Sequence, residues 1–254
     1  MARSALNVAK GRPQPRIRGT RTPARIIGLD ALRGLAIVAM IAYHFCFDLR
    51  WFGFASFDFE HDVRWLAARA AILGSFLALA GVSLVLASRR VDAPRRFVTH
   101  LVAIGGAALL VSLASYAAFP QRFIWFGVLH AIVVSLLLAR PLVGHPRAAM
   151  VVGAAVIAAG VFFSHPAFDG RALGWLGFMT HKPPTEDYVP LFPWAGVVFI
   201  GVALGEALLH AGPRVLAPFA RLPRAMPFLG RHSLIVYLVH QPLLVGGLWL
   251  WTHR

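Results

Sequence analysis

The chain has 254 residues, 58% of them hydrophobic and only 14% charged, with a mean hydropathy of +0.68. A soluble domain of this length carries about 25% charged residues, so the deficit excludes an ordinary soluble fold and points to one polytopic membrane domain. The net charge of +15 does not read as nucleic-acid binding, because the arginines lie mostly in short segments between apolar runs, as membrane topology places them.

Residues 1–25 hold seven Lys/Arg, three Pro and no acid. So little apolar surface predicts a disordered basic cytoplasmic arm, able to meet anionic headgroups. It does not read as the start of a cleaved signal, since the apolar run after it is too long and no small-residue site closes it. Seven stretches over 26–254 then approach the roughly 20 apolar residues that cross about 30 Å of hydrocarbon. They lie at 27–49, 67–87, 97–118, 123–143, 148–164, 189–209 and 232–251. The fifth is short and rich in Ala and Gly, which suits close helix packing. There is no internal repeat and no strand-like alternation. The expected fold is all-α: a polytopic integral membrane helical bundle of about seven transmembrane helices. With the N-terminus cytoplasmic, 17 of the 25 Lys/Arg fall inside, which supports that orientation and a multi-pass place in the inner cell membrane. Two connections on the far side are long, 50–66 and 164–190. The second, rich in aromatics, Gly and Pro, is placed to cover a site.

The first span reads "LDALRGLAIVAMIAYHFCFDL" (29–49). It carries Asp30, Arg33, His44 and Asp48, although a charge at mid-bilayer costs about 2.5–3.5 kcal/mol. Arg33 and His44 are eleven residues apart, which returns to nearly the same azimuth about 16 Å further along the axis. Asp30 precedes Arg33 by three and Asp48 follows His44 by four, so all four share one stripe. That stripe reads as one wall of a polar cavity, in which Asp48 accepts from one nitrogen of His44 and leaves the other as a base. The alternative for Asp30 and Arg33 is a structural ion pair at the inner surface, where snorkelling lowers the cost.

The fourth span begins "QRFIWFGVLHAI" (121–132), with Arg122 at its outer mouth and His130 two turns deeper. Arg122 lines the cavity or anchors the interface; His130 lines the cavity or bonds a neighbouring helix. The sixth, "YVPLFPWAGVVFIGVALGE" (188–206), has Pro190 and Pro193 at an irregular entry, and Trp194 reads as a site or an interface aromatic. In the last, "LGRHSLIVYLVHQPLL" (229–244), Ser233, Tyr237, His240 and Gln241 fall on one face, a site wall or a structural seam. The serine of "GVSLV" (81–85) reads as a small packing residue. The histidines are scattered, so no metal is expected, and no phosphate loop or nucleophile elbow is present.

These four segments, "LDALRGLAIVAMIAYHFCFDL", "FGVLHAI", "YVPLFPWAGVVFIGVALG" and "LGRHSLIVYLVHQPLL", resemble the catalytic domain of the heparan-α-glucosaminide N-acetyltransferase family, in order and over about residues 25–251. The Arg33-x10-His44 spacing is also similar to the first-helix motif of the wider membrane acyltransferases that acylate cell-surface sugars. The resemblance implies an acetyltransferase that takes acetyl from cytoplasmic acetyl-CoA to an amine or hydroxyl of a saccharide or glycoconjugate across the bilayer. It implies that Arg33, with Asp30, helps hold the donor and that His44, oriented by Asp48, is the base, or alternatively carries a covalent acetyl group. Arg122, His130, Trp194, Ser233, Tyr237, His240 and Gln241 would contribute to the donor and acceptor sites, with Tyr237 or Arg122 opposite a developing oxyanion. The lysosomal enzyme is much larger, and its histidine is placed in the loop after this span, which would correspond to His61 in "FEHDV". The acceptor does not carry over, and a homodimer is left open. A transporter or flippase for a lipid-linked or small anionic solute is the competing reading, although seven spans do not divide into an even repeat. A purely structural membrane protein is the third.

Overall fold

The computed structural model describes residues 26–253. The basic arm of residues 1–25, expected to be disordered, lies outside the described residues, as does Arg254. Ten helices follow: α1 (Ile27–Trp51), α2 (Val63–Ser88), α3 (Ala93–Ala118), α4 (Val128–Ala139), α5 (Pro146–Phe162), α6 (Arg171–Gly174), α7 (Leu191–Ala211), α8 (Ala217–Ala220), α9 (Ala225–Arg231) and α10 (Ser233–Thr252). Five of them, α1, α2, α3, α7 and α10, are long and apolar enough to cross a membrane. The fourth and fifth expected spans form shorter apolar helices, Val128–Leu142 and Pro146–Phe162. The protein is therefore an all-helical bundle of membrane type.

α7 is its axis. Over half of its most apolar stretch is buried, 56% against 28% for α1, and α2, α4 and α5 pack around it. Small residues allow this. Gly81 of α2 lies on the carbonyl of Val198, and Gly201 of α7 lies on that of Ala78. Gly153 of α5 and Gly196 of α7 face each other's carbonyls. A methyl group at any of these sites would overlap backbone, so the helices approach as closely as backbone contact permits. α1 docks on α9 in the same way, with Gly34 against Met226 and Gly230 against the carbonyl of Asp30.

Polar ties fix the end of the bundle that carries the short basic connections. Glu206 is buried and accepts from Nη2 of Arg89 at 2.8 Å and from the Gly144 N–H at 2.8 Å. It joins α7 to α2 and to the α4–α5 turn, where Gly144 takes φ +86°. At α1, Arg33 donates to Oδ1 of Asp30 at 3.0 Å and to the hydroxyl of Ser83 in α2. Ser83 is thus an acceptor for Arg33 and not merely a small packing residue.

The starts of α2 and α4 differ from expectation for identifiable reasons. α2 begins at Val63, because Asp62 caps it by accepting from the Arg64 N–H at 2.9 Å. α4 begins at Val128 rather than 123. The segment before it is held extended: the Ile124 N–H donates to Ser115 at 2.9 Å, and Phe126 pairs with Tyr188 in a parallel bridge. The second long connection folds onto that segment. Thr185 donates to the Phe123 carbonyl at 2.8 Å, the Glu186 N–H to the Arg122 carbonyl at 3.1 Å, and the Tyr188 hydroxyl to the Gly174 carbonyl at 2.6 Å.

Gly201→Leu is expected to lower the melting temperature of the detergent-solubilised protein sharply, since overpacking a tight contact costs about 1–3 kcal/mol or more. Gly247→Leu, where a side chain meets open space, is expected to leave it unchanged in the same thermal scan.

Candidate functional site

The site lies where α1 meets α10, toward the end that carries the long connections. Nδ1 of His44 and Nε2 of His240 are 2.6 Å apart. The two rings are 13° from parallel with centroids 4.9 Å apart. With the nitrogens that close, the rings meet edge to edge, nearly in one plane. Nδ1 of His240 lies 2.7 Å from the Tyr237 carbonyl.

This chain fixes the tautomers of two neutral rings. A carbonyl oxygen only accepts, so Nδ1 of His240 carries the hydrogen and its Nε2 is bare. Nε2 of His240 therefore accepts from Nδ1–H of His44. Nε2 of His44 is left with its lone pair exposed, the form a general base requires.

Asp48 does not orient His44 as expected. One turn further along α1, its Oδ1 accepts from Nε2 of Gln241 at 2.7 Å. The physical reason is that both side chains of the i, i+4 pair point at α10, where each meets a partner across the helix interface. The partner of His44 is His240. Tyr237 lies beside this pair, its ring 5.8 Å from that of His240.

The other expected residues lie elsewhere. Arg122 is tied to Glu186 at 2.8 Å in the folded connection, an exposed position. His130 bridges α3 and α4: its Nε2 lies 3.3 Å from the Ser112 hydroxyl, and its Nδ1 accepts from the Gly127 N–H at 3.3 Å. Ser233 opens α10, far along the helix from His240. Asp30 and Arg33 belong to the opposite end, where Arg231 also approaches Asp30 at 3.9 Å. His61 is exposed beside Asp58, 3.2 Å away.

Trp194 lines an open cleft of about 320 Å³ together with Leu66, Arg69, Ala70, Lys182, Tyr188 and Pro190. Arg69 connects this cleft to the histidines. It sits in the second turn of α2, donates to the Tyr188 carbonyl at 3.4 Å, and is within electrostatic reach of His44, Tyr43 and Asp187. Asp187 accepts from the Val128 N–H at 2.9 Å and so caps α4 from the connection. Desolvation pushes its carboxyl above the usual range, opposed by the Val128 N–H and the Arg69 and Lys182 charges. Desolvation likewise pushes the Tyr188 phenol up to about 12. Arg69, Lys182, Asp187 and Tyr188 were not among the expected site residues. The signal for the last two was present: "EDYVPLFPW" is a dense polar-aromatic run at the start of a helix.

Residues 25–242 match the model of the family described as heparan-alpha-glucosaminide N-acetyltransferase, catalytic. No curated protein matches the chain, and no solved structure does. The family match covers most of the sequence, and the chain belongs to the family of the heparan-alpha-glucosaminide N-acetyltransferase catalytic domain.

Proposed function

We propose that this membrane protein transfers an acetyl group from cytoplasmic acetyl-CoA to an amine or hydroxyl of a sugar-type acceptor on the periplasmic side, with His44 as general base. The observation that carries this reading is the hydrogen-bonded chain from the Tyr237 carbonyl through His240 to His44, which leaves Nε2 of His44 as an acceptor. Family membership supplies the reaction class. The proposed topology places the N-terminus in the cytoplasm of an inner-membrane protein, with α4 and α5 completing seven spans.

In this mechanism the acceptor enters by the cleft at Arg69, Lys182, Tyr188 and Trp194. Trp194 and Tyr188 give a sugar ring an apolar face to stack on. Nε2 of His44 takes the proton of the acceptor N–H or O–H as the heteroatom attacks the thioester carbonyl. The positive charge that develops on His44 is shared with His240 through their hydrogen bond. Collapse of the tetrahedral intermediate breaks the C–S bond, and the proton on His44 passes to the departing CoA thiolate. Arg69 is the cation in reach of the developing oxyanion. Arg33 and the basic connections provide the charge that meets the CoA phosphates on the cytoplasmic side.

Calorimetry on the purified full chain in detergent is expected to show acetyl-CoA binding by wild type and by His44→Ala alike. Acetyl transfer to a panel of amino sugars is expected to fall at least about 100-fold in His44→Ala, the scale of a lost general base. Absence of acetyl-CoA binding by folded wild-type protein would overturn the acyltransferase reading, and normal transfer by His44→Ala would remove His44 as base.

His240→Ala is expected to fold, to bind acetyl-CoA, and to lose about 10-fold or more in kcat, because His44 then has no partner fixing its tautomer. The comparison of kcat and KM between the two variants checks this: an effect confined to KM would contradict it.

A further inference from the structure

Two buried atoms beside the imidazole pair have no partner: Oδ2 of Asp48 and Oε1 of Gln241. Both are acceptors. They belong to the two groups already joined through the 2.7 Å bond from Nε2 of Gln241 to Oδ1 of Asp48. Asp48 is 3% exposed, and no cation forms an ion pair with it among the described residues. An ionised carboxylate so placed would be costly, because burial removes its hydration and only one neutral hydrogen bond replaces it. A carboxamide offers one donor edge and one acceptor edge, whereas a carboxylate offers acceptors alone. The mismatch disappears with a single proton.

We propose that Asp48 is a neutral carboxylic acid, its Oδ2–H donating to Oε1 of Gln241 in a cyclic acid–amide pair that sets the register of α10 on α1. One proton then satisfies both orphaned atoms at once. The pair makes Asp48 and Gln241 positioning residues. They stand one turn beyond His44 and directly beside His240, so their register is the register of the imidazole contact. α10 needs such a device. Only 6% of its most apolar stretch is buried, His240 is its one buried residue, and Leu234, Tyr237 and Leu238 reach the core only partly buried, so apolar packing alone fixes its sliding and rotation less firmly than that of α7. The positioning role rests on the acyl-transfer reading of His44, whereas the protonation state does not.

Infrared difference spectroscopy of the full chain in lipid nanodiscs tests the proposal. Wild type minus Asp48→Asn is expected to show a protonated-carboxyl C=O stretch that shifts on transfer to D2O. Asn reproduces the acid's pattern of one donor and one acceptor, so Asp48→Asn is expected to keep the wild-type melting temperature. Asp48→Ala and Gln241→Ala are expected to lower it. Transfer by Asp48→Asn is expected within about threefold of wild type, while the two alanine variants lose about 10-fold to 100-fold in kcat, as a displaced catalytic group would. A difference spectrum with carboxylate bands in place of the C=O stretch would overturn the proposal. So would an Asp48→Asn variant that binds acetyl-CoA normally yet transfers no better than Asp48→Ala. The spectrum and the melting temperatures need no transfer activity, so they stand or fall separately from the acetyltransferase reading.

Discussion

The attachment of α10 to α1 is the contact on which the site depends. Elsewhere the bundle is held by close backbone approach: α2 and α5 sink onto α7 through facing glycines, and α1 sinks onto α9. Such contacts are dense with dispersion attraction and leave little freedom. α10 has no comparable seam. It presents most of its surface outward and meets α1 through two polar contacts, His44 with His240 and Asp48 with Gln241. In a low-dielectric setting such contacts are directional and costly to break, and direction is what an acid–base pair requires. The tautomer of His44 follows from this arrangement, because the backbone carbonyl at Tyr237 permits one assignment of the hydrogens along the chain.

Much of this was legible in the sequence. The helices stand close to the expected spans because hydropathy over about 20 residues is a strong signal. The shared face of Tyr237, His240 and Gln241 in the last span follows from helical periodicity alone, as does the stripe containing His44 and Asp48. What periodicity cannot supply is which residue across the interface meets which. Asp48 stands four residues from His44, the usual spacing for an intrahelical pair, and the expectation followed that spacing. Both side chains project at the same neighbouring helix, however, and the partners that win are nearly two hundred residues away in the chain.

The cleft was less legible. Arg69 falls inside the expected second span as it does inside α2, but hydropathy does not show that its side chain reaches the carbonyl of Tyr188 in a distant connection. "QRFIWFG" is as apolar as a helix start, and hydropathy does not separate the two conformations. Its extended path depends on Ser112, Ser115 and Tyr188, which lie in other elements. Asp187 and Tyr188 stand in a dense polar-aromatic run before a helix, but which partners they meet shows only in the connection folded on that segment. Arg122 and His130 illustrate the converse. Both occupy plausible cavity positions by sequence, yet each is engaged by a local partner that secures the connection or the α3–α4 contact.

The buried carboxylates divide by the work the two ends of the bundle do. Asp30 and Glu206, at the basic end, each sit against arginines. Removing one partner there would strand a charge, which makes these pairs structural anchors more than reactive groups. Asp48 is equally buried but faces an amide, next to two imidazoles held in a defined tautomer. An arginine in its place as partner would set a positive charge beside His44 and oppose the proton that a base must accept. An acid–amide pair positions the helix without adding charge. The same fold thus sets its buried carboxylates in ion pairs at the basic end and in a hydrogen bond to an amide beside the imidazoles, while Arg69 and Lys182 bring positive charge to the cleft.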